Sequence, residues 1–167
     1  IIVSLVGSEM CIRDSQYTYQ QTDISSIHLT TNGVLLSKYI NQLEKAGLNG
    51  INISLDTLNR EKFKEITRRE ELENVLEGLD LAVCSGIKSI KVNMVVMKGF
   101  NNDEITDFVE LTKNNDINVR FIELMPFDSH QIWKTGKFYR ADHIVNDLRS
   151  HYRTCLLYTS PSPRDSR

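Results

Sequence analysis

Lys91 is the residue of this sequence whose position most strongly suggests chemistry. It lies in the middle of an apolar segment, between Ile90 and Val92. A lysine at such a position is costly unless its charge is paired or used. Its ammonium group is a compact point charge suited to a phosphate, and a desolvated lysine on a strand is also the nucleophile that Schiff-base chemistry uses. We therefore interpret Lys91 as a functional residue.

Other polar side chains alternate with apolar residues along their own segments, as Lys91 does in its segment. Asn52 and Ser54 alternate with apolar neighbours, as do Thr30 in an earlier segment and Asn93 beyond Lys91. Buried hydroxyl and amide groups without partners cost free energy, so a common polar face must meet water, a ligand or other polar groups. The pattern predicts the lumen of a barrel, and the alternative is the solvated face of an open sheet.

The elements that carry these residues indicate an α/β fold. Short β-rich runs alternate with helical patterns, which is typical of a parallel sheet with crossover helices. About four βα units are present, so we predict a partial TIM-like (β/α) barrel, with ligands at the carboxyl ends of its strands. The predicted strands are Ser26–Thr30, Gly50–Leu55, Ile90–Met97 and Asn118–Leu124, and the predicted helices are about Leu36–Ala46, Glu70–Ser85, Asp103–Lys113 and Ala141–Ser150.

Composition argues against several classes of function. The 167 residues are 40% hydrophobic and 25% charged, as in ordinary globular proteins, and the net charge of -2 comes without a basic stripe. We therefore expect no nucleic-acid partner, and with no apolar run near about 20 residues we expect no membrane anchor. The three widely spaced cysteines argue against a zinc knuckle or a disulfide framework, and we expect Cys84 to be a small buried hydrophobe.

The two ends of the sequence resemble translated sequencing-adapter sequence, and both close on Arg-Asp-Ser. We therefore expect residues 1–15 and 154–167 to be non-native flanks. The native segment is then residues 16–153, and Cys11 and Cys155 fall outside it.

Four motifs resemble the GTP 3′,8-cyclase family of the radical S-adenosylmethionine (SAM) superfamily. They occur in family order across nearly all of residues 16–153, and they are Leu29-Thr30-Thr31-Asn32-Gly33, Ile51-Asn52-Ile53-Ser54-Leu55-Asp56, Lys91-Val92-Asn93 and Arg120-Phe121-Ile122-Glu123-Leu124-Met125. The resemblance implies a lyase of molybdenum cofactor biosynthesis that uses SAM and 4Fe–4S clusters. A reduced cluster cleaves SAM to a 5′-deoxyadenosyl radical, which converts GTP to 3′,8-cyclo-7,8-dihydro-GTP.

The resemblance also implies individual site residues, none of them catalytic or metal-binding. Those implied for GTP are Thr30 and Lys91. Those implied for SAM are Ser54 and Met125, with Asn93 and Arg120 as further candidates. Asp56 is interpreted as a cap of the turn after its strand, and Glu123 as an ion-pair partner of Arg120 or Lys91, without catalytic roles.

The family's cluster-binding cysteines and glycine-rich SAM loop do not occur in this sequence. The cluster ligands are therefore expected outside the chain. We expect the chain alone, reconstituted with iron and sulfide, to form no cluster and to cleave no SAM.

Partners and compartment follow only from the resemblance. The expected downstream enzyme is cyclic pyranopterin monophosphate synthase, a homodimer stays open, and the compartment is the cytoplasm in a bacterium or the mitochondrial matrix in a eukaryote. Three alternative functions also stay open. They are a peptide-modifying radical SAM enzyme, a Schiff-base aldolase barrel that uses Lys91, and a non-enzymatic nucleotide-binding scaffold.

Overall fold

The chain folds into a parallel β-sheet whose strands follow one another in chain order. A computed structural model describes residues 2–4, 13, 17, 26–124 and 138–152. The sheet has five strands in the order β1-β2-β3-β4-β5, and each neighbouring pair is parallel. The strands are β1 (Ile2–Ser4), β2 (His28–Thr31), β3 (Gly50–Ser54), β4 (Ser89–Val96) and β5 (Ile117–Glu123).

Helices follow the strands, as expected for crossover connections. Right-handed crossovers between strands in chain order put the connecting helices on one face of a sheet, as in a barrel, and leave the other face without helices. The predicted α/β class and the four predicted strands are confirmed. The helices are α1 (Leu36–Lys45), α2 (Arg60–Thr67), α3 (Leu72–Val83), α4 (Ile105–Glu110) and α5 (Ala141–His151), and a 3₁₀ turn covers Asn102–Glu104.

Helix α2 was not predicted from the sequence, because its apolar pattern is weak. Phe63 is its one buried residue. Its ends are nevertheless well formed: the Asn59 side chain accepts hydrogen bonds from the Glu61 and Lys62 N–H groups, and Arg68 ends the helix in the left-handed conformation at φ 59°. Asn59 as an N-cap was the available sequence signal.

The core lies between the sheet and its helices. Ile51, Ile53, Val92 and Met94 are fully buried and alternate along β3 and β4 with polar residues of the opposite face. Helices α1 and α3 pack on this apolar face and on each other. Gly78 permits that close approach, because an added Cβ would lie 2.9 Å from the Leu36 Cβ.

The structure bears on two further expectations, the burial of Cys84 and the number of strands. Cys84 was expected to be buried, which is wrong: it follows the last turn of α3 and is exposed. Strand β1 lies within residues 1–15 and pairs in parallel with β2, which adds a strand to the four predicted. The assignment of both flanks as non-native stays a prediction.

No helix in the described part of the chain is long and apolar enough to cross a bilayer.

Candidate functional site

The register of the sheet aligns the predicted site residues in two rows on the face opposite the apolar core. Thr30 pairs with Asn52, and Asn52 with Lys91, so these three residues form one row across β2, β3 and β4. Two residues further along the strands, Ser54 pairs with Asn93 and Asn93 with Arg120. Neighbouring strands lie about 4.8 Å apart and the two rows about 7 Å apart, so all of these residues lie within reach of ligands of nucleotide size.

The first row contains a cation without a counter-charge. Lys91 is half-buried, and within the described residues it has no hydrogen bond or ion pair. Its lateral neighbours in register are two neutral amides, Asn52 and Asn118. The Asn52 Nδ2 donates a hydrogen bond of 3.2 Å to the Thr30 Oγ1. This row therefore presents one uncompensated positive charge beside polar hydrogen-bonding groups.

The second row contains an acceptor without a donor. The Oδ1 of Asn93 is buried, and it is the one buried side-chain polar atom of the described residues that lacks a hydrogen-bond partner. Such an atom costs about 1–3 kcal/mol unless a ligand or water satisfies it. Its register neighbours, Ser54 and Arg120, are exposed on the same face. The Asn93 oxygen is thus left without a donor beside two exposed polar side chains.

At the carboxyl edge, side chains replace the backbone pairing of β3 and β4. The Leu55 N–H donates to the Asn93 carbonyl at 3.0 Å, the last backbone bond of the ladder. Beyond it, the Val95 N–H donates to the Asp56 Oδ1 at 2.8 Å, so Asp56 closes the end of the ladder. Burial raises the pKa of Asp56, and the hydrogen bond from Val95 opposes that shift.

Asn101 continues this edge and was not singled out from the sequence. It is fully buried, and its Nδ2 donates to the carbonyl oxygens of Asp56 and Val95 at 2.7 and 2.9 Å. Its Oδ1 accepts from the Met97 N–H at 2.7 Å. One side chain thus satisfies three backbone groups where the two strands separate, and it fixes the loops at their carboxyl ends.

Glu104 is a second residue of this edge whose role the sequence did not indicate. Its carboxylate is buried, which is uncommon for a glutamate. It accepts from the Thr57 hydroxyl at 2.8 Å and from the Leu58 N–H at 2.7 Å, and it pairs with Lys62 at 2.9 Å. The partners lie more than 40 residues away in the chain, so local sequence patterns carried no signal for them.

The outcomes for the remaining predicted residues differ. Met125 lies outside the described residues. Glu123 does not pair with Arg120 or Lys91: its Oε1 accepts from the Ala141 N–H at 2.6 Å and holds the start of α5 against β5. The structure brings Thr30, Lys91, Ser54, Asn93 and Arg120 together on one face. Their assignment to particular ligands stays a prediction.

His28 lies on the same face, one row nearer the amino ends of the strands. It pairs in register with Gly50, and its ring occupies the space that a side chain at Gly50 would need: an added Cβ would lie 2.2 Å from the His28 Nδ1. Burial, followed by the positive charge of Lys91, lowers the pKa of His28.

The chain is similar to several known proteins. Residues 8–112 match the Radical SAM superfamily. The chain is 50% identical over 129 residues to the GTP 3′,8-cyclase of Chlorobaculum tepidum, covering 77% of the chain and 39% of that protein. It is 47% identical over 114 residues to the mitochondrial GTP 3′,8-cyclase of Arabidopsis thaliana, covering 68% of the chain and 29% of that protein. The chain thus spans well under half the length of these relatives.

A solved structure supports the fold alone. The structure of TYW1 with a lysine-pyruvate adduct bound superposes with a TM-score of 0.53 at 21% sequence identity, over 75% of this chain and 39% of that one. The superfamily match covers most of the chain and includes the strands that hold Thr30, Ser54 and Lys91. On the strength of that match, the chain belongs to the radical SAM superfamily.

Proposed function

We propose that this chain acts within a GTP 3′,8-cyclase of molybdenum cofactor biosynthesis. Membership of the superfamily implies the use of SAM and an iron–sulfur cluster, and the relatives named GTP 3′,8-cyclase support GTP as the substrate. When bound, SAM and a reduced 4Fe–4S cluster held by residues outside this chain supply the radical that initiates cyclisation. The product is 3′,8-cyclo-7,8-dihydro-GTP, the substrate of cyclic pyranopterin monophosphate synthase.

The observation that carries this proposal is the division of the polar face into two rows of different chemistry. The row with the unpaired cation Lys91 suits a polyanion such as GTP, together with Thr30. The row with the unpaired acceptor of Asn93 suits the ammonium or hydroxyl groups of SAM. Ser54 and Arg120 flank Asn93, and Arg120 is a donor for a carboxylate. Met125 belongs to this proposed SAM site by resemblance only.

The task of these side chains is to bind and orient rather than to react. Adjacent rows about 7 Å apart hold two ligands side by side on one rigid sheet, which supplies proximity and orientation for the radical step. The Asn101 and Glu104 contacts keep the ends of β3 and β4 in place, and these strands carry both rows. Apolar packing behind the sheet leaves the polar face as the surface on which the ligands meet.

Lys91→Ala in the complete protein tests the proposal. Charged hydrogen bonds are worth about 1.5–3 kcal/mol, so we expect GTP affinity to fall roughly 10- to 100-fold while SAM affinity is retained. Lys88→Ala is the matched control, because Lys88 is exposed just before β4. Equal GTP affinity in both variants would contradict the proposal and favour a peptide-modifying enzyme or a binding scaffold. Borohydride trapping of a carbonyl substrate on Lys91 would instead identify a Schiff-base aldolase.

The compartment is proposed with the function. The relatives include both a bacterial protein and a protein named as mitochondrial. We propose the cytoplasm for a bacterial source and the mitochondrial matrix for a eukaryotic source, with a homodimer as the assembly to test by size-exclusion chromatography with light scattering.

A further inference from the structure

We propose that Asn52 is a third residue of the nucleotide site, which donates a hydrogen bond to a phosphate oxygen and fixes the Thr30 hydroxyl as a donor. The inference rests on the proposed function, because it deepens the GTP site formed by Thr30 and Lys91. Asn52 is not among the residues that the resemblance implies for GTP or for SAM.

The position of Asn52 is set by the sheet register. It pairs with Thr30 on one side and with Lys91 on the other, so it lies between the two residues proposed to bind GTP. Its side chain is half-buried on the polar face of the sheet, while its chain neighbours Ile51 and Ile53 are fully buried on the opposite face. A ligand that touches both Thr30 and Lys91 must therefore pass over Asn52.

The hydrogen bond between Asn52 and Thr30 determines which groups the row offers. A hydroxyl has one hydrogen to donate and lone pairs to accept, and an amide nitrogen has two hydrogens. Because the Asn52 Nδ2 donates to the Thr30 Oγ1 at 3.2 Å, the hydroxyl hydrogen of Thr30 is left to point elsewhere. The second hydrogen of the Asn52 amide has no acceptor among the described residues.

The row then presents three donors in succession across three adjacent strands. They are the Thr30 hydroxyl, the second amide hydrogen of Asn52 and the Lys91 ammonium group, spaced at about the 4.8 Å of neighbouring strands. Successive donors without an intervening carboxylate match a ligand with several acceptor oxygens. The polyphosphate part of a nucleotide has that chemistry.

Two aspartate substitutions separate this role from a simple charge effect on Lys91. Asn52→Asp replaces the amide donor by an acceptor, draws the Thr30 hydroxyl hydrogen away from the ligand and brings a negative charge beside Lys91. Asn118→Asp brings the same charge to the other side of Lys91 in register, without touching Thr30. Asn118→Asp is therefore the matched control.

The experiment measures the dissociation constants of GTP, inorganic triphosphate and SAM by equilibrium dialysis with the complete protein. Loss of one hydrogen bond to a charged phosphate oxygen corresponds to roughly a 10- to 100-fold weaker affinity, which we expect for GTP and for triphosphate in Asn52→Ala. Asn52→Asp should weaken both by more than Asn118→Asp does. SAM affinity should stay within about twofold in every variant, which shows that the fold is intact.

Thr30→Val supplies the decisive readout. In the otherwise unchanged protein it should weaken GTP binding roughly 10- to 100-fold, because the hydroxyl donates to a charged phosphate oxygen. In the Asn52→Asp background it should have no further effect, because the hydroxyl hydrogen no longer reaches the ligand. Additive effects of Thr30→Val and Asn52→Asp, together with equal effects of Asn52→Asp and Asn118→Asp, would overturn the role of Asn52.

The unchanged protein distinguishes failure of this inference from failure of the proposed function. If it binds GTP with a dependence on Lys91 but Asn52→Ala binds GTP equally well, the inference is wrong and the proposed function stands. If it binds inorganic triphosphate with a dependence on Asn52 but does not bind GTP, the donor row is supported and the proposed function is wrong. Binding of neither probe overturns both.

Discussion

The two faces of the sheet differ in how their residues are satisfied. On the helix-covered face, Ile51, Ile53 and Val92 are completely buried and need only close packing. On the open face, Lys91 and Asn93 carry polar groups for which the described residues provide no hydrogen-bond partner. One face completes its interactions within the chain, whereas the other carries polar groups that lack partners among the described residues. Substitutions on the two faces and at the edge between them test this difference.

The largest effect is expected from truncation on the packed face. Ile53→Ala should lower the free energy of unfolding by about 2–5 kcal/mol, because the residue is fully buried between the sheet and its helices. Ser54→Ala, the next residue on the same strand, is exposed on the opposite face and should change it by no more than about 0.5 kcal/mol. Urea unfolding followed by circular dichroism measures both. Equal losses would remove the distinction between the faces.

An intermediate effect is expected at the carboxyl edge, where buried polar groups are satisfied within the chain. Glu104→Ala leaves the Thr57 hydroxyl and the Leu58 N–H without their acceptor, and unfolding free energy should fall by about 1–3 kcal/mol. The matched control is Asp103→Ala. Asp103 pairs with the same lysine, Lys62, but is exposed, so its loss should cost no more than about 1 kcal/mol. A control as damaging as Glu104→Ala would assign the effect to Lys62 rather than to the buried network.

The smallest effect is expected from the titration of His28 on the open face. Its pKa is lowered in the folded protein, so between that value and the ordinary 6.5 the unfolded chain binds more protons. Stability should therefore be constant above about pH 6.5 and should fall as pH decreases through this window. His28→Gln should remove that part of the slope.

Lys91→Met tests whether the charge of Lys91 contributes to the lowered pKa of His28. Burial is the first cause of the lowered pKa and the charge of Lys91 the second, so Lys91→Met should move the pKa of His28 part of the way back toward 6.5. Nuclear magnetic resonance titration of the imidazole protons measures this directly. An unchanged His28 pKa would contradict the proximity of the two groups on this face.

Much of the fold followed from sequence patterns because they are local. Alternation at a period of two gave β3 and β4 to within one residue at each end, and apolar residues at helical spacing gave α1 and α5. Helix α2 was missed because one buried residue, Phe63, makes too weak a pattern. Cys84 was misjudged because the end of α3 turns that position outward to solvent. In each case the outcome depended on how an element packs, which a local pattern does not contain.

The shared face of the predicted site residues followed from the sequence, because side chains alternate along a strand whatever its neighbours are. On that ground, one polar face could be assigned to Thr30, Ser54, Lys91 and Asn93. Which of them are adjacent depends on the fold, since register is set by pairing between distant segments: Asn52 lies between Thr30 and Lys91. The edge network was likewise decided by the fold, because the Thr57–Glu104 contact joins residues 47 positions apart.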